Sequence, residues 1–219
     1  MKSAQSDMTS GSPMKIILWF TLPIFIGNVF QQLYNTVDTW VVGNYVSNEA
    51  FSAVGTVAPI INTLIGAFSG LASGAGVVIS QYYGAGKYDR VKDAVHTAVM
   101  MTLVLSVAFT AIGIAMTPNM LLLMKTPVEV FPESRAYLNI YFSGMAGLML
   151  YNMGAGILRA VGDSKRPFYY LVCAAVINTV LDLVFVIAFD MGVEGVAYAT
   201  IIAQGISAFL TMLTLFRSE

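Results

Sequence analysis

Six stretches of this chain, residues 14–46, 51–80, 95–117, 135–158, 167–189 and 195–216, are each long and apolar enough to cross a bilayer as a helix. A span needs roughly 20 mostly apolar residues. Inside lipid, only helices and closed barrels satisfy their own backbone polar groups. Barrel strands alternate over about 10 residues, and the sequence shows no such alternation. Composition agrees: 57% of residues are hydrophobic and 11% charged, against about 45–50% and about 25% in soluble domains. The sequence therefore predicts an all-α polytopic membrane protein with six transmembrane helices over residues 14–219, behind a flexible cytoplasmic tail over 1–13. The first two runs exceed one membrane thickness, so tilt or kinks are expected.

Lys and Arg together number 11. Nine of them (Lys2, Lys15, Lys87, Arg90, Lys92, Arg159, Lys165, Arg166 and Arg217) fall at one end of the six-span arrangement. Lys125 and Arg135 fall at the other. Cytoplasmic loops collect the basic residues, so both termini are expected in the cytoplasm of a multi-pass protein of the cell (plasma or inner) membrane. A net charge of −1 gives no reason to expect nucleic acid as a partner; membrane lipid is the partner that composition implies. The single cysteine, Cys173, cannot form an intramolecular disulfide and is expected to be a small core hydrophobe. The polar N-terminus runs into a span too long for a signal-peptide core, so no cleavage is expected. Trp19 and Trp40 lie toward opposite ends of the first span, as belt residues do.

Pro23 and Pro59 interrupt the first two spans, and each removes a backbone donor and is expected to kink its helix. Gly66, Gly70 and Gly74 recur at four-residue spacing, which suits close packing against another helix. The run GLASGAGVVISQYYGAGK lacks the strand-then-helix context and GK[ST] ending of a phosphate loop. The segment 118–134 is the longest outer connection, with room for a short interfacial helix. The loop RAVGDSKRP reads as a Gly-Asp turn with Pro167 starting the next helix.

Two carboxylates stand inside this apolar sequence: Asp38 in the first span and Asp182 in the fifth. With 100° per residue, Asn28, Gln31, Gln32, Asn35, Asp38 and Thr39 share an arc of about 120°. Such a stripe is expected to face the bundle interior or a watery cavity. Asn178 and Asp182 stand at i and i+4 on one face of the fifth span. Asp38 lies about 34 Å beyond Lys15 along an ideal helix, and Asp182 about 22 Å beyond Pro167. Thr200 enters from the outer side. All three fall at similar depth in the outer half of the membrane, close enough in depth to meet. Asn152 in the fourth span is a further candidate for a cavity wall.

An aspartate at the membrane centre costs about 2.5–3.5 kcal/mol on insertion scales. Two arrangements lower that cost. The carboxylates hold a small cation with oxygens from Asn178, Thr200 or Gln31, a hard-ligand set; or one carboxyl keeps its proton beside its charged neighbour. Either is a coupling site for Na+ or H+, with Asp38, Asn178 and Asp182 as metal ligands in the sodium case. The competing possibility is a helix–helix hydrogen bond without transport, which Asn or Ser would make at lower cost. No further cofactor is implied.

Enzyme chemistry finds little support. One histidine, His96, cannot supply the HExxH pair of a zinc protease. No Gly-x-Ser-x-Gly elbow accompanies it, and its place near Arg90 and Lys92 is interfacial.

With these residues placed, LPIFIGNVFQQLYNTVDTWVVG, SGAGVVISQYYGAGK, LRAVGDSKRP, NTVLD and GVEGVAYAT, in this order and spacing, make the chain from about residue 14 to 216 resemble the N-terminal lobe of a multidrug and toxic compound extrusion (MATE) transporter. The resemblance implies a six-helix lobe that alternates between outward- and inward-facing states and exports organic cations or drugs in exchange for Na+ or H+. It implies a cation site at Asp38, Asn178 and Asp182, with Gln31 and Thr200 nearby and Pro23 at a bending position. Asn28, Gln32, Asn35 and Asn152 are expected to line the cavity. Members of the family have twelve helices in two lobes. A second six-helix lobe is thus the expected partner, supplied by a C-terminal half or by a second copy, since parallel halves are a known transporter plan. An intramembrane aspartyl protease fits poorly by the same kind of comparison, because Asp182 follows ValLeu rather than a GlyXaaGly turn. A lipid-precursor flippase of the same superfamily is the alternative within transport. It would require basic residues in its cavity, and the six spans hold no interior Lys or Arg.

Overall fold

A computed structural model describes residues 12–218. The helices are α1 (Pro13–Tyr45), α2 (Asn48–Gly84), α3 (Tyr88–Leu123), α4 (Phe131–Ser143), α5 (Met145–Ala160), α6 (Lys165–Leu183) and α7 (Gly192–Ser218), and a π-helical turn (Val184–Ala188) extends α6. Apart from Ser12 and Pro13, which opens α1, the expected N-terminal tail with Lys2 lies outside the described residues.

Among the described residues, five helices are long and apolar enough to span a bilayer: α1, α2, α3, α6 with its π turn, and α7. The fourth expected span is instead two pieces, α4 and α5, meeting at Gly144. Packing explains the junction. A Cβ on Gly144 would run into the Ile201 side chain of α7, so only glycine lets the two backbones come this close. The break leaves the Phe142 carbonyl short of a helical partner, and the Thr110 hydroxyl of α3 donates to it at 3.0 Å. Irregular backbone at membrane depth is tolerated when buried neighbours satisfy it in this way.

The outer connection is shorter than expected. α3 continues through Pro118 to Leu123, and α4 starts at Phe131, so no separate interfacial helix forms in 118–134. α3 ends when Lys125 takes a left-handed conformation (φ 54°). The Thr126 N–H then returns to the Leu121 carbonyl and the Lys125 N–H to Leu122, the paired bonds of a Schellman stop. The Gly-Asp turn after α5 uses the same device, with Gly162 at φ 88° and the Asp163 N–H bonded to Leu158 at 2.9 Å.

α5 is the hub, packing on α2, α3 and α7. Small residues allow this. A Cβ on Gly156 would stand 3.0 Å from the Ala72 carbonyl oxygen of α2. The expected packing stripe, by contrast, does not pack: nothing lies within 4 Å of where a Cβ of Gly66, Gly70 or Gly74 would be. α5 meets the neighbouring Ala72–Gly76 face of α2, and that choice turns the glycine stripe outward. Cys173 is also exposed, on the side of α6 away from the core.

Two apolar clusters fill the interior. One, around Val41, Val57, Leu138, Met145 and Val196, surrounds the outer part of α1. The other, around Ala72, Ile79, Ala98, Met153 and Ile157, lies between α2, α3 and α5. The buried residues of α1 are Gly27, Asp38, Val41 and Val42, and Val37 packs against the core beside them. The part before Pro23 leaves Met14, Ile17, Leu18 and Trp19 exposed. α3 exposes Val104 and Val107, as a lipid-facing helix does.

Candidate functional site

Asp38, Asn178, Asp182 and Thr200 come together between α1, α6 and α7. Asp182 is wholly buried (0% exposed), and the other three are 5% exposed or less. The two carboxyl groups are close enough to interact, and Asp38 shares a cavity wall with Thr200. The Asn178 amide nitrogen points to that hydroxyl at 3.5 Å. The hydroxyl's one hydrogen goes to the Val196 carbonyl at 2.9 Å, leaving its lone pairs toward the carboxylates.

A donor count shows what this cluster lacks. Asp38 Oδ1, Asn178 Oδ1 and both oxygens of Asp182 are buried without a hydrogen-bond partner. An unpaired buried acceptor costs about 1–3 kcal/mol, more when charged. Ionised carboxylates only accept. A cation, a proton or the O–H of a water would each satisfy these acceptors. Two carboxylates, an amide oxygen and a hydroxyl form a hard oxygen set that fits Na+. Among the described residues no group of three or more His, Cys, Asp or Glu side chains gathers as a zinc-type site would require.

Two cavities adjoin the cluster, and a third lies further along α1. The largest, about 480 Å³, has Asp38 and Thr200 in its wall together with Gln32, Asn35, Thr39 and Tyr137. A pocket of about 20 Å³ touches Asn178, Thr200, Gln31 and Asn152, space for one water-sized occupant. A third, about 250 Å³, runs toward the basic end past Pro23, Asn28, Gln31 and Asn152. The polar stripe of α1 is thus shared among separate cavities. Gln31 lies beside the oxygen cluster, and Asn28 stands a turn further away.

A family model described as MatE matches residues 23–184. The chain belongs to the MatE family. Among curated relatives, the Bacillus subtilis protein "Probable multidrug resistance protein YpnP" is 35% identical over 204 residues, covering 93% of this chain and 46% of that protein. "Probable multidrug resistance protein YoeA", also from Bacillus subtilis, is 33% identical over 228 residues, covering 100% and 49%. A solved MATE structure in the bent conformation superposes with a TM-score of 0.88 at 28% identity, covering 94% of this chain and 46% of that one. The chain spans about half the length of the curated relatives it matches. The sequence resemblance and the one-lobe, all-helical membrane architecture are both upheld by these matches.

Several features of this MatE lobe escaped the sequence reading. Tyr137 of α4 is buried and lines the largest cavity together with Asp38 and Thr200. Tyr34 joins Gln31 and Gln204 on the other side. Both tyrosines pass for ordinary span aromatics in the sequence. The π turn starts two residues after Asp182, with Phe189 N–H bonded back to Val184 at 3.1 Å; such turns gather at functional sites. Arg159 is the last basic surprise. It was counted with the loop, but it ends α5 and lines the third cavity near Asn28.

Proposed function

We propose that this MatE chain forms one lobe of a secondary antiporter. The lobe exports organic cations or drugs by alternating access, in exchange for Na+ or H+ bound at Asp38, Asn178, Asp182 and Thr200. One observation carries the reading: four buried oxygens with no donor, which a cation or proton would satisfy. Coupling then follows from geometry. The same Asp38 faces both the oxygen cluster and the 480 Å³ cavity, a volume in the range of small-molecule sites. An organic cation and the coupling ion therefore compete for one carboxylate. Pro23 interrupts α1 where its packing is thinnest, a position suited to bending as the lobe changes state. A second six-helix lobe completes the transporter, and the polar α1 face with the open glycine side of α2 forms the surface turned toward it. The crowding of basic residues at one end supports a cytoplasmic position for both termini in a protein of the cell membrane.

Efflux tests this directly. The chain is expressed with a second lobe in cells lacking other drug exporters, and ethidium release is followed under an imposed Na+ or pH gradient. Release driven by one of these gradients, and reduced at least about tenfold in Asp38→Asn, is expected. Gradient-driven release that survives both Asp38→Asn and Asp182→Asn would contradict the proposal.

A flippase reading gains from Arg159, which places one guanidinium in a cavity expected to hold none. A single charge is a weak match for a pyrophosphate, and the carboxylate at the larger cavity selects cations. Arg159→Gln with intact ethidium efflux would count against it.

A further inference from the structure

The basic end of the lobe carries a groove that the antiport reading leaves unused. α3 and α7 both pack on α5, yet no contact joins α3 to α7. The gap is a cavity of about 320 Å³. Ile157 of α5 and Val161 just after it form its floor, Val91 and Val95 of α3 one wall, and Leu215 of α7 the other.

Its rim is polar and positive. Lys92 and Arg166 stand there with Asp163. Asp163 is already committed: Oδ2 meets Arg166 Nε at 3.2 Å, and Oδ1 accepts the Arg166 N–H at 3.1 Å. A guanidinium carries five N–H donors, so this contact leaves Arg166 able to donate further, and its side chain is 31% exposed. Lys92 is exposed and has no ion-pair partner among the described residues. The rim therefore holds one net positive charge and several donors. Tyr83 and Tyr88, with ring centroids 5.9 Å apart, flank it as interfacial aromatics do.

We infer that this groove binds an anionic phospholipid, its phosphate between Lys92 and Arg166 and an acyl chain along Val95 and Ile157. The charge complements a phosphodiester, and the apolar floor and walls suit an acyl chain that a soluble anion lacks. Basic pockets between membrane helices at the cytoplasmic side are recognised as headgroup sites.

The test uses the full chain, delipidated in uncharged detergent. Its melting temperature is followed against dioleoylphosphatidylglycerol, dioleoylphosphatidylcholine and inorganic phosphate, for the wild type, Lys92→Glu and Lys87→Glu. Lys87 makes the same charge change in the adjoining turn, outside the groove. Phosphatidylglycerol should raise the wild-type melting temperature where the other two additives do not, with Lys92→Glu losing more than half of the rise and Lys87→Glu keeping most of it. Native mass spectrometry should show one retained phosphatidylglycerol in the wild type and Lys87→Glu, and none in Lys92→Glu. Equal losses in both variants would mean diffuse attraction to a charged surface and would overturn the proposal. So would an equal response to phosphatidylcholine, a response to phosphate alone, or no response in the wild type.

Discussion

At the scale of single residues, the cluster at Asp38 and Asp182 is defined by what each oxygen accepts and from whom. Thr200 contributes lone pairs only, because its hydrogen is held by Val196. Thr200→Val should keep the fold, since it removes no bond between helices other than the long one from Asn178. It should weaken cation binding about tenfold, or about 1.4 kcal/mol, measured by titration calorimetry in detergent. Tyr137→Phe removes a hydroxyl near Thr200 without changing the ring packing. A smaller loss of affinity is expected there, with no loss of folded protein. The carboxylates and their i+4 amide were legible in the sequence because charge inside an apolar helix is costly enough to demand a purpose. Tyr137 was not: an aromatic in a span carries no such cost, and only the folded packing brings it into the same cavity wall as Asp38.

At the scale of helices, the α2–α5 contact and the glycine stripe give opposite expectations from the same residue type. Gly156→Val would press on the Ala72 backbone, where a Cβ already sits at 3.0 Å. Overpacking of this kind costs about 1–3 kcal/mol, and the melting temperature should fall by several degrees, at about 2–4 °C per kcal/mol for a chain of this size. Gly70→Ala meets open space and gains helix propensity of about 1 kcal/mol, so the isolated lobe should melt slightly higher. Spacing alone predicted packing for Gly66, Gly70 and Gly74. It reports that a close approach is permitted, and which face of α2 is used depends on α5, which no local pattern reveals. The break at Gly144 was hidden for a related reason. Hydropathy runs through it without a dip, and the cause is Ile201, 57 residues later in the chain. Pro23→Ala should leave the melting temperature equal or higher, because it restores a helical donor in a poorly packed part of α1. Ion-driven ethidium efflux should nevertheless fall at least about tenfold if bending there belongs to the cycle.

At the scale of the molecule, the six apolar runs, the crowding of basic residues at one end and the family motifs were all legible, since each is a property of the chain before it packs. The central claim is that four separated polar residues act as one cation site, and a site that exists only in the folded lobe must stabilise the whole lobe. A ligand at 100 times its Kd contributes about 2.7 kcal/mol. The decisive measurement is the melting temperature of the purified chain across Na+ concentration and pH, with K+ as the ionic-strength control, beside Asp38→Asn and Asp182→Asn. Stabilisation by Na+ over K+, or by protons without sodium selectivity, lost in both variants, is the predicted result. A wild-type melting temperature indifferent to Na+ and pH, or an ion response that persists in either variant, would contradict it.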